Sequence, residues 1–238
     1  MLVSAATLSV FDPSAIRLSV IIPTLDEEAA LRRNLPAALA LGDDLIVSDG
    51  GSADATLTVA AEHGVKTVRG PSARGGQLNR GAAAADGDVL VFLHADTRLP
   101  AGSAAEIRRA IAGGAIGGAF YLRFDSDRPV QRLGARLINL RTRLLRAPLG
   151  DQVQFVTRPA FDRLGGFRDW PILEDLDFIR RLKRQGRIAI LPGPAVTAAR
   201  RFLGNGVART IATNWLIWGL FAIGVSPARL ARLYRQVR

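Results

Sequence analysis

Two acidic motifs, far apart in the chain, carry the residue types from which group transfer is built. The run Phe92-Leu93-His94-Ala95-Asp96-Thr97 ends an apolar segment on an acid. A carboxylate directly after a buried strand is held at the sheet edge. There it can ligate a divalent cation that a diphosphate already carries, and the cation offsets charge building on the leaving phosphate. The same position also suits an Asp that caps the next turn. Leu173-Glu174-Asp175-Leu176-Asp177 sets adjacent acids before an apolar, arginine-rich segment. Such a carboxylate can take the proton of an attacking hydroxyl, or the acids can simply complement the dipole of a helix start. Pro23-Thr24-Leu25-Asp26-Glu27, with Asp49 further on, offers backbone groups and a carboxylate to a base and ribose. Ser72-Ala73-Arg74-Gly75-Gly76-Gln77-Leu78-Asn79-Arg80-Gly81 joins glycines, which admit close approach of a backbone to a ligand, to arginines suited to phosphate. That run matches neither a P-loop nor the dinucleotide fingerprint, so ATPase and dehydrogenase readings lose their usual support.

The elements that position these groups follow from periodicity. Residues 18–22 form a β-branched apolar run that predicts a buried strand, and residues 27–41 read as a helix that Pro36 should kink or restart. Residues 44–48 predict a second strand, stopped by Asp49-Gly50-Gly51, after which Ser52 caps a helix over 53–63 with Gly64 beyond it. Residues 65–68 and 88–93 predict two more strands around a small helix at 72–85, and Pro100 opens another helix. This alternation predicts an α/β fold with a doubly wound, mostly parallel sheet flanked by helices. In such sheets ligands gather at the carboxyl ends of the strands. Thr24 to Glu27, Asp49, and His94 to Asp96 all fall there.

The second half is less regular. Residues 119–124, 153–156 and 187–191 predict strands, and residues 173–185 a helix. Residues 130–146 predict a basic amphipathic helix with Leu133, Leu137, Leu140 and Leu144 on one face. Residues 211–225 are largely apolar, with Trp215, Trp218 and Phe221, but fall short of the roughly 20 residues needed to span a bilayer. Arg200, Arg201 and Arg209 precede this stretch, and Arg229, Arg232, Arg235 and Arg238 follow it. That pattern suits a helix lying in a membrane interface, or one packed on the domain or in a dimer contact. The expected organisation is a leader at 1–16, one domain at 17–200 and a helical tail at 201–238. The leader has no basic residue before its apolar stretch and breaks at Asp12-Pro13, which argues against a secretory signal.

Composition narrows the chemistry. Hydrophobic residues make up 48% of the chain, enough for a full core and against wholesale disorder. Cysteine is absent, so any metal must rest on oxygen or imidazole ligands, in keeping with a reducing cytoplasm. The net charge of +11 is almost entirely arginine, which suits phosphorylated substrates, an anionic membrane surface or nucleic acid, or reflects a composition rich in Ala, Arg and Gly. The aromatics cluster in the apolar tail and do not interleave with basic residues, which argues against nucleic acid.

Taken in order, Ser19-Val20-Ile21-Ile22-Pro23-Thr24, Val47-Ser48-Asp49-Gly50-Gly51-Ser52, Leu93-His94-Ala95-Asp96 and Glu174-Asp175 resemble the motifs of family 2 glycosyltransferases, over about residues 17–200. With Gly150-Asp151-Gln152 between the halves, the chain looks like a small bacterial subgroup of that family with a His-Ala-Asp element. The resemblance implies a GT-A fold, a nucleoside diphosphate sugar donor, a divalent cation (Mn or Mg) and inversion at the anomeric carbon. Carried over by position, it implies nucleotide contacts from Pro23, Thr24, Leu25, Glu27, Asp49, Arg74, His94 and Ala95. It implies metal ligation by Asp96, a catalytic base in Asp175, and Glu174 orienting that base or the acceptor. Asp151 and Gln152 would sit on the acceptor side, or form a plain turn. Arg200 and Arg201 would close over the diphosphate, or add to membrane-surface charge. His94 stands where the family often has Asp; it can bond ribose or approach the metal but cannot supply the same charge. The tail points to a lipid-linked acceptor and a peripheral place on the inner face of the cell membrane. A nucleotidyltransferase would want a glycine-rich basic loop after the first strand, and Pro23-Thr24-Leu25-Asp26-Glu27 is acidic and lacks glycine. A non-catalytic nucleotide-sugar binder is opposed by the presence of both Glu174 and Asp175. The whole reading requires Asp96 and Asp175 to converge on one crevice.

Overall fold

A computed structural model describes residues 12–198 and 207–237. Its centre is β1 (Leu18–Thr24), buried throughout except at Pro23. Successive side chains of a strand point to opposite faces, so Val20 and Ile22 enter one core with Leu31, Leu35 and Val91, while Ile21 enters the other with Ile46, Leu78 and Phe92. β1 pairs in parallel with β2 (Asp44–Asp49) and β4 (Val89–Phe92), and β2 pairs in parallel with the exposed edge strand β3 (Lys66–Arg69). The crossovers are α1 (Glu28–Leu39), α2 (Thr56–Glu62) and α3 (Arg74–Ala84). Pro36 does not restart α1: it lies in the last turn, where only the bond to the Arg32 carbonyl is forfeited. α2 starts later than Ser52 would set it. Asp49 holds Ser52, and Asp54 accepts the Thr56 N–H at 2.9 Å instead. The helix expected at Pro100 begins at Ser103, as α4 (Ser103–Ala112), after Gly102 in a left-handed turn.

The sheet is mixed rather than mostly parallel beyond β4. Its eight strands run in the order β3-β2-β1-β4-β7-β6-β8-β5. β7 (Gln154–Thr157) enters antiparallel to both β4 and β6 (Gly117–Phe124). β8 (Ile188–Thr197) lies parallel to β6, and the two-residue β5 (Thr97–Arg98) runs antiparallel to β8. β8 outruns its expected end at Leu191 because the register jumps from Leu191 opposite Phe120 to Pro194 opposite Tyr121. Pro192 therefore loops out where its missing N–H costs no ladder bond.

Between β6 and β7 lies α5 (Pro129–Leu145), whose four leucines share a face as their spacing predicts, but that face is the exposed one. α6 (Arg158–Leu164) and α7 (Glu174–Gln185) follow β7. The tail is two helices, α8 (Val207–Ala222) and α9 (Pro227–Val237), separated by a turn with Gly224 at φ 92°. The tail packs on the domain core through Trp218 and Phe221, and it buries Ile217, Leu230 and Ala231. Among the described residues no helix is long and apolar enough to cross a membrane. Of the leader, Pro13–Ala15 forms a short 3-10 turn capped by Asp12. Residues 1–11 of the leader, with Arg200 and Arg201, lie outside the described residues.

Candidate active site

The carboxyl ends of β1 and β2 carry one cluster of candidate residues. Asp49 is fully buried, and its Oδ2 accepts the backbone N–H groups of Gly51 at 2.8 Å and Ser52 at 3.0 Å. Its Oδ1 accepts from the Thr24 and Ser52 hydroxyls. Burial pushes the Asp49 carboxyl up, but these bonds from Ser52, Gly51 and Thr24 together outweigh it and hold the group below its ordinary value. The segment after β1 is sewn to the same turn. Asp26, at φ 53°, donates its N–H to Ser52 and accepts that of Ala53, while Glu27 N–H reaches the Thr56 hydroxyl at 2.9 Å. Leu25 stands 44% exposed at the rim. The buried Gln77 locks this cluster from beneath, donating to the carbonyls of Thr24 at 2.7 Å and Ser48 at 3.1 Å.

The second cluster, which lines the cavity, converges from four chain segments. Arg74 opens α3 and pairs through Nε with Glu174 at 3.2 Å, while its Nη2 contacts the His94 ring. Asp175 Oδ2 accepts the Gly150 N–H at 2.6 Å, and its Oδ1 accepts the Leu176 N–H at 2.7 Å. Gly150 sits amid these groups: a methyl there would lie 3.0 Å from Arg74 Nη2 and 3.2 Å from both Asp175 Oδ2 and His94 Nε2. Glu174 is only 3% exposed. Burial, reinforced by the adjacent Asp175 charge and only partly offset by Arg74, pushes its carboxyl up to about 7. Leu173, just before, takes a left-handed φ of 65°, the sort of backbone strain that concentrates at functional sites.

Aromatic packing fixes this second cluster. Phe178 of α7 stacks on Phe167 at 4.2 Å, and Phe167 meets Phe92 of β4 edge-on at 4.8 Å. The strand leading to His94 and the helix bearing Glu174 and Asp175 thus share one core cluster. Asn79 of α3 exchanges two hydrogen bonds with the Phe167 backbone, at 2.8 and 2.9 Å, which seats Arg74 above the same loop.

These side chains border a cavity of about 770 Å³ lined by Ser72, Arg74, His94, Asp151, Glu174 and Asp175, and on its far side by Trp170, Asn214, Trp218 and Tyr234. The tail helices therefore form a wall of the crevice, which their apolar composition did not announce. Arg141, another residue that sequence reasoning missed, lies beneath Trp218 at 4.7 Å from the ring centre. Burial pushes its guanidinium down, against the raising influence of Asp151 and Asp175. Gln152, expected on the acceptor side, is fully buried. Its amide is spent on Thr142, Leu149 and the Phe120 carbonyl, so it holds the Gly150 turn in place.

Asp96 does not line this cavity. Ala95 is buried between His94 and Asp96. His94 faces the crevice, and Asp96 faces a small depression with Arg33, Asn34, Arg98 and Asp125. Asp96 and Asp175 thus border different depressions, and the Arg74–His94–Asp175 set lines the crevice. Among the described residues no three His, Asp or Glu side chains gather as a metal site. One carboxylate beside a nucleotide pocket fits a cation carried in by a diphosphate, not a metal held by protein alone.

A curled mixed sheet flanked by helices, with a polar crevice beside the end of β4, defines the GT-A class of fold. The profile of glycosyl transferase family 2 matches residues 19–164, more than half of the chain, and the chain belongs to that family. An uncharacterised glycosyltransferase of Mycobacterium tuberculosis is 36% identical over 86 residues, which cover 36% of this chain and 39% of that protein. Glucosyl-3-phosphoglycerate synthase of the same organism is 35% identical over 96 residues, covering 35% of this chain and 30% of that one. The chain thus aligns with less than half the length of these curated relatives. Among solved structures, S. aureus TarS 1-349 with UDP-GlcNAc superposes with a TM-score of 0.63 at 18% identity, covering 77% of this chain and 58% of that one. Glucosyl-3-phosphoglycerate synthase with Mn2+, UDP and glucosyl-3-phosphoglycerate gives 0.58 at 24%, covering 77% and 72%. The mannosyltransferase PcManGT of Pyrobaculum calidifontis with GDP-Man and Mn2+ gives 0.55 at 20%, covering 79% and 58%.

Proposed function

We propose that this protein moves a sugar from a nucleoside diphosphate donor to an acceptor hydroxyl, with inversion at the anomeric carbon and Asp175 as general base. The observation that carries this reading is the meeting of Arg74, His94, Glu174 and Asp175 around Gly150, on one wall of a cavity beside the end of β4. A guanidinium suits a diphosphate, and a carboxylate held by two backbone N–H groups suits an incoming hydroxyl, because each oxygen keeps a lone pair. The acceptor oxygen attacks the anomeric carbon from the face opposite the phosphate. Its proton passes to Asp175 as the bond to the phosphate oxygen breaks. Arg74 stabilises charge on the departing diphosphate, and Glu174 positions Arg74. Pro23, Thr24, Leu25, Glu27 and the Asp49 turn receive base and ribose, with His94 and the Ala95 backbone at the sugar end.

The nucleotide-sugar and Mn2+ complexes of the structural relatives support the donor class and a divalent cation, Mn or Mg. Asp96, which borders the neighbouring depression and not the crevice, would reach that cation only by turning toward the diphosphate. When bound, it supplies neutralisation of charge on the leaving group. Asp151, which lines the crevice, would face the acceptor. The tail with its exposed tryptophan supports an acceptor carried at the inner membrane face.

The test is Asp175→Asn. Turnover from UDP- or GDP-sugars with Mn should fall at least about a hundredfold, while the donor's stabilisation of the folded protein in a thermal-shift assay stays near wild type. A variant with undiminished turnover removes Asp175 as the base.

A further inference from the structure

Helix α5 is turned inside out. It buries Gln131, Gly134, Ala135 and Thr142 and leaves Val130, Leu133, Leu137, Leu140 and Leu144 exposed, by 41% to 71%. A helix on a globular domain ordinarily sets its aliphatic stripe toward the core, and an apolar patch left on the surface marks a docking face. Arg132, Arg136 and Arg143 are exposed, each one residue before a leucine of the stripe, so they line one edge of it. α5 contains no acidic residue. α8 packs alongside α5 and leaves Trp215 and Leu216 54% and 52% exposed, with Trp215 beside Ile138 and Arg141 of α5. The charge of the whole chain is skewed the same way. Residues 178–238 hold 12 of the 32 basic residues and none of the 21 acidic ones.

We propose that the leucine stripe of α5, with Trp215 and Leu216 of α8, docks this protein onto an anionic bilayer surface. The leucines enter the acyl boundary and the flanking arginines meet lipid phosphates. Charge decides the occupant. A second copy of the chain would bring an equally basic, acid-free stripe against this one, whereas anionic headgroups complement it. Trp218 lines both the crevice and the small cavity that Trp215 and Ile138 border, so docking sets the crevice beside the headgroup layer. Delivery of a lipid-linked acceptor by this route rests on the proposed transfer reaction; the docking itself does not.

Cosedimentation of the full chain with phosphatidylcholine vesicles, with and without phosphatidylglycerol, tests the inference. The protein should pellet with the anionic vesicles and much less with the neutral ones. Leu140→Glu/Leu144→Glu should weaken vesicle partitioning at least about tenfold. Both positions are exposed, so the melting temperature and donor hydrolysis measured without vesicles should hold, and loss of docking reads out separately from loss of chemistry. Wild-type protein left in the supernatant with anionic vesicles, or a double variant that binds as tightly as wild type, overturns the proposal. So does a wild-type dimer in sedimentation velocity that the two substitutions convert to monomer, which would assign the stripe to self-association.

Discussion

Glu174→Gln should make the protein more stable at neutral pH while leaving it unchanged in acid. The wild-type carboxyl is buried beside Asp175, and folding raises it from 4.5 to about 7. A group that binds its proton more tightly in the native state contributes its full stability below about 4.5. That contribution erodes as pH rises to about 7 and stays lost above it. At about 1.4 kcal/mol per pH unit, the difference amounts to roughly 3 kcal/mol as an upper bound. Glutamine keeps the shape and cannot ionise, so it escapes this loss. It also gives up the 3.2 Å pair with Arg74, whose side chain is 35% exposed and can turn to water. The net gain at pH 8 should therefore be about 1–3 kcal/mol, shrinking toward zero near pH 4.5. Urea denaturation of both proteins across that range is the assay. A variant less stable than wild type at pH 8, or an offset that does not change with pH, refutes the argument that Glu174 is held at the expense of the fold.

Gln77→Ala strips the donor from the Thr24 and Ser48 carbonyls and should cost about 1–3 kcal/mol in urea denaturation; an unmoved midpoint would show that water replaces the amide. Gly150→Ala sets a methyl between Arg74, Asp175 and His94. It should leave the melting temperature nearly unchanged and lower turnover by about a hundredfold, and full activity would mean that Gly150 does not border the reacting centre.

The first half of the fold was legible because its strands are unbroken apolar runs and its turns carry Gly, Pro and Asp. The same chemistry puts Thr24, Asp49 and His94 at or just past strand ends. The second half hid its topology. β7 reads as a strand in the sequence, but nothing in Gln154-Phe155-Val156-Thr157 says that it runs antiparallel between β4 and β6. The family resemblance carried Gln152 to the acceptor side, with a plain turn as the alternative, and only the fold shows its amide spent indoors. His94 and Asp96 are two residues apart, which in an extended segment would give them one side. The turn that follows β4 instead separates them into two depressions. The leucines of α5 obeyed helical spacing, yet spacing alone does not say whether a stripe faces core or solvent.

The ring cluster of Phe92, Phe161, Phe167 and Phe178 joins the strand that leads to His94 to the helix that bears Asp175. Prising those two elements apart would unstack four rings at once, so the reacting side of the crevice behaves as one solid block. The opposite side is held differently, by Trp170 against Phe221 and by Arg141 and Arg180 against Trp218. Contacts of that kind contribute about 0.5–2 kcal/mol each. Trp218 and Phe221 also pack against the core that holds the four rings, so the C-terminal helices ride on the same block as the bond-making groups.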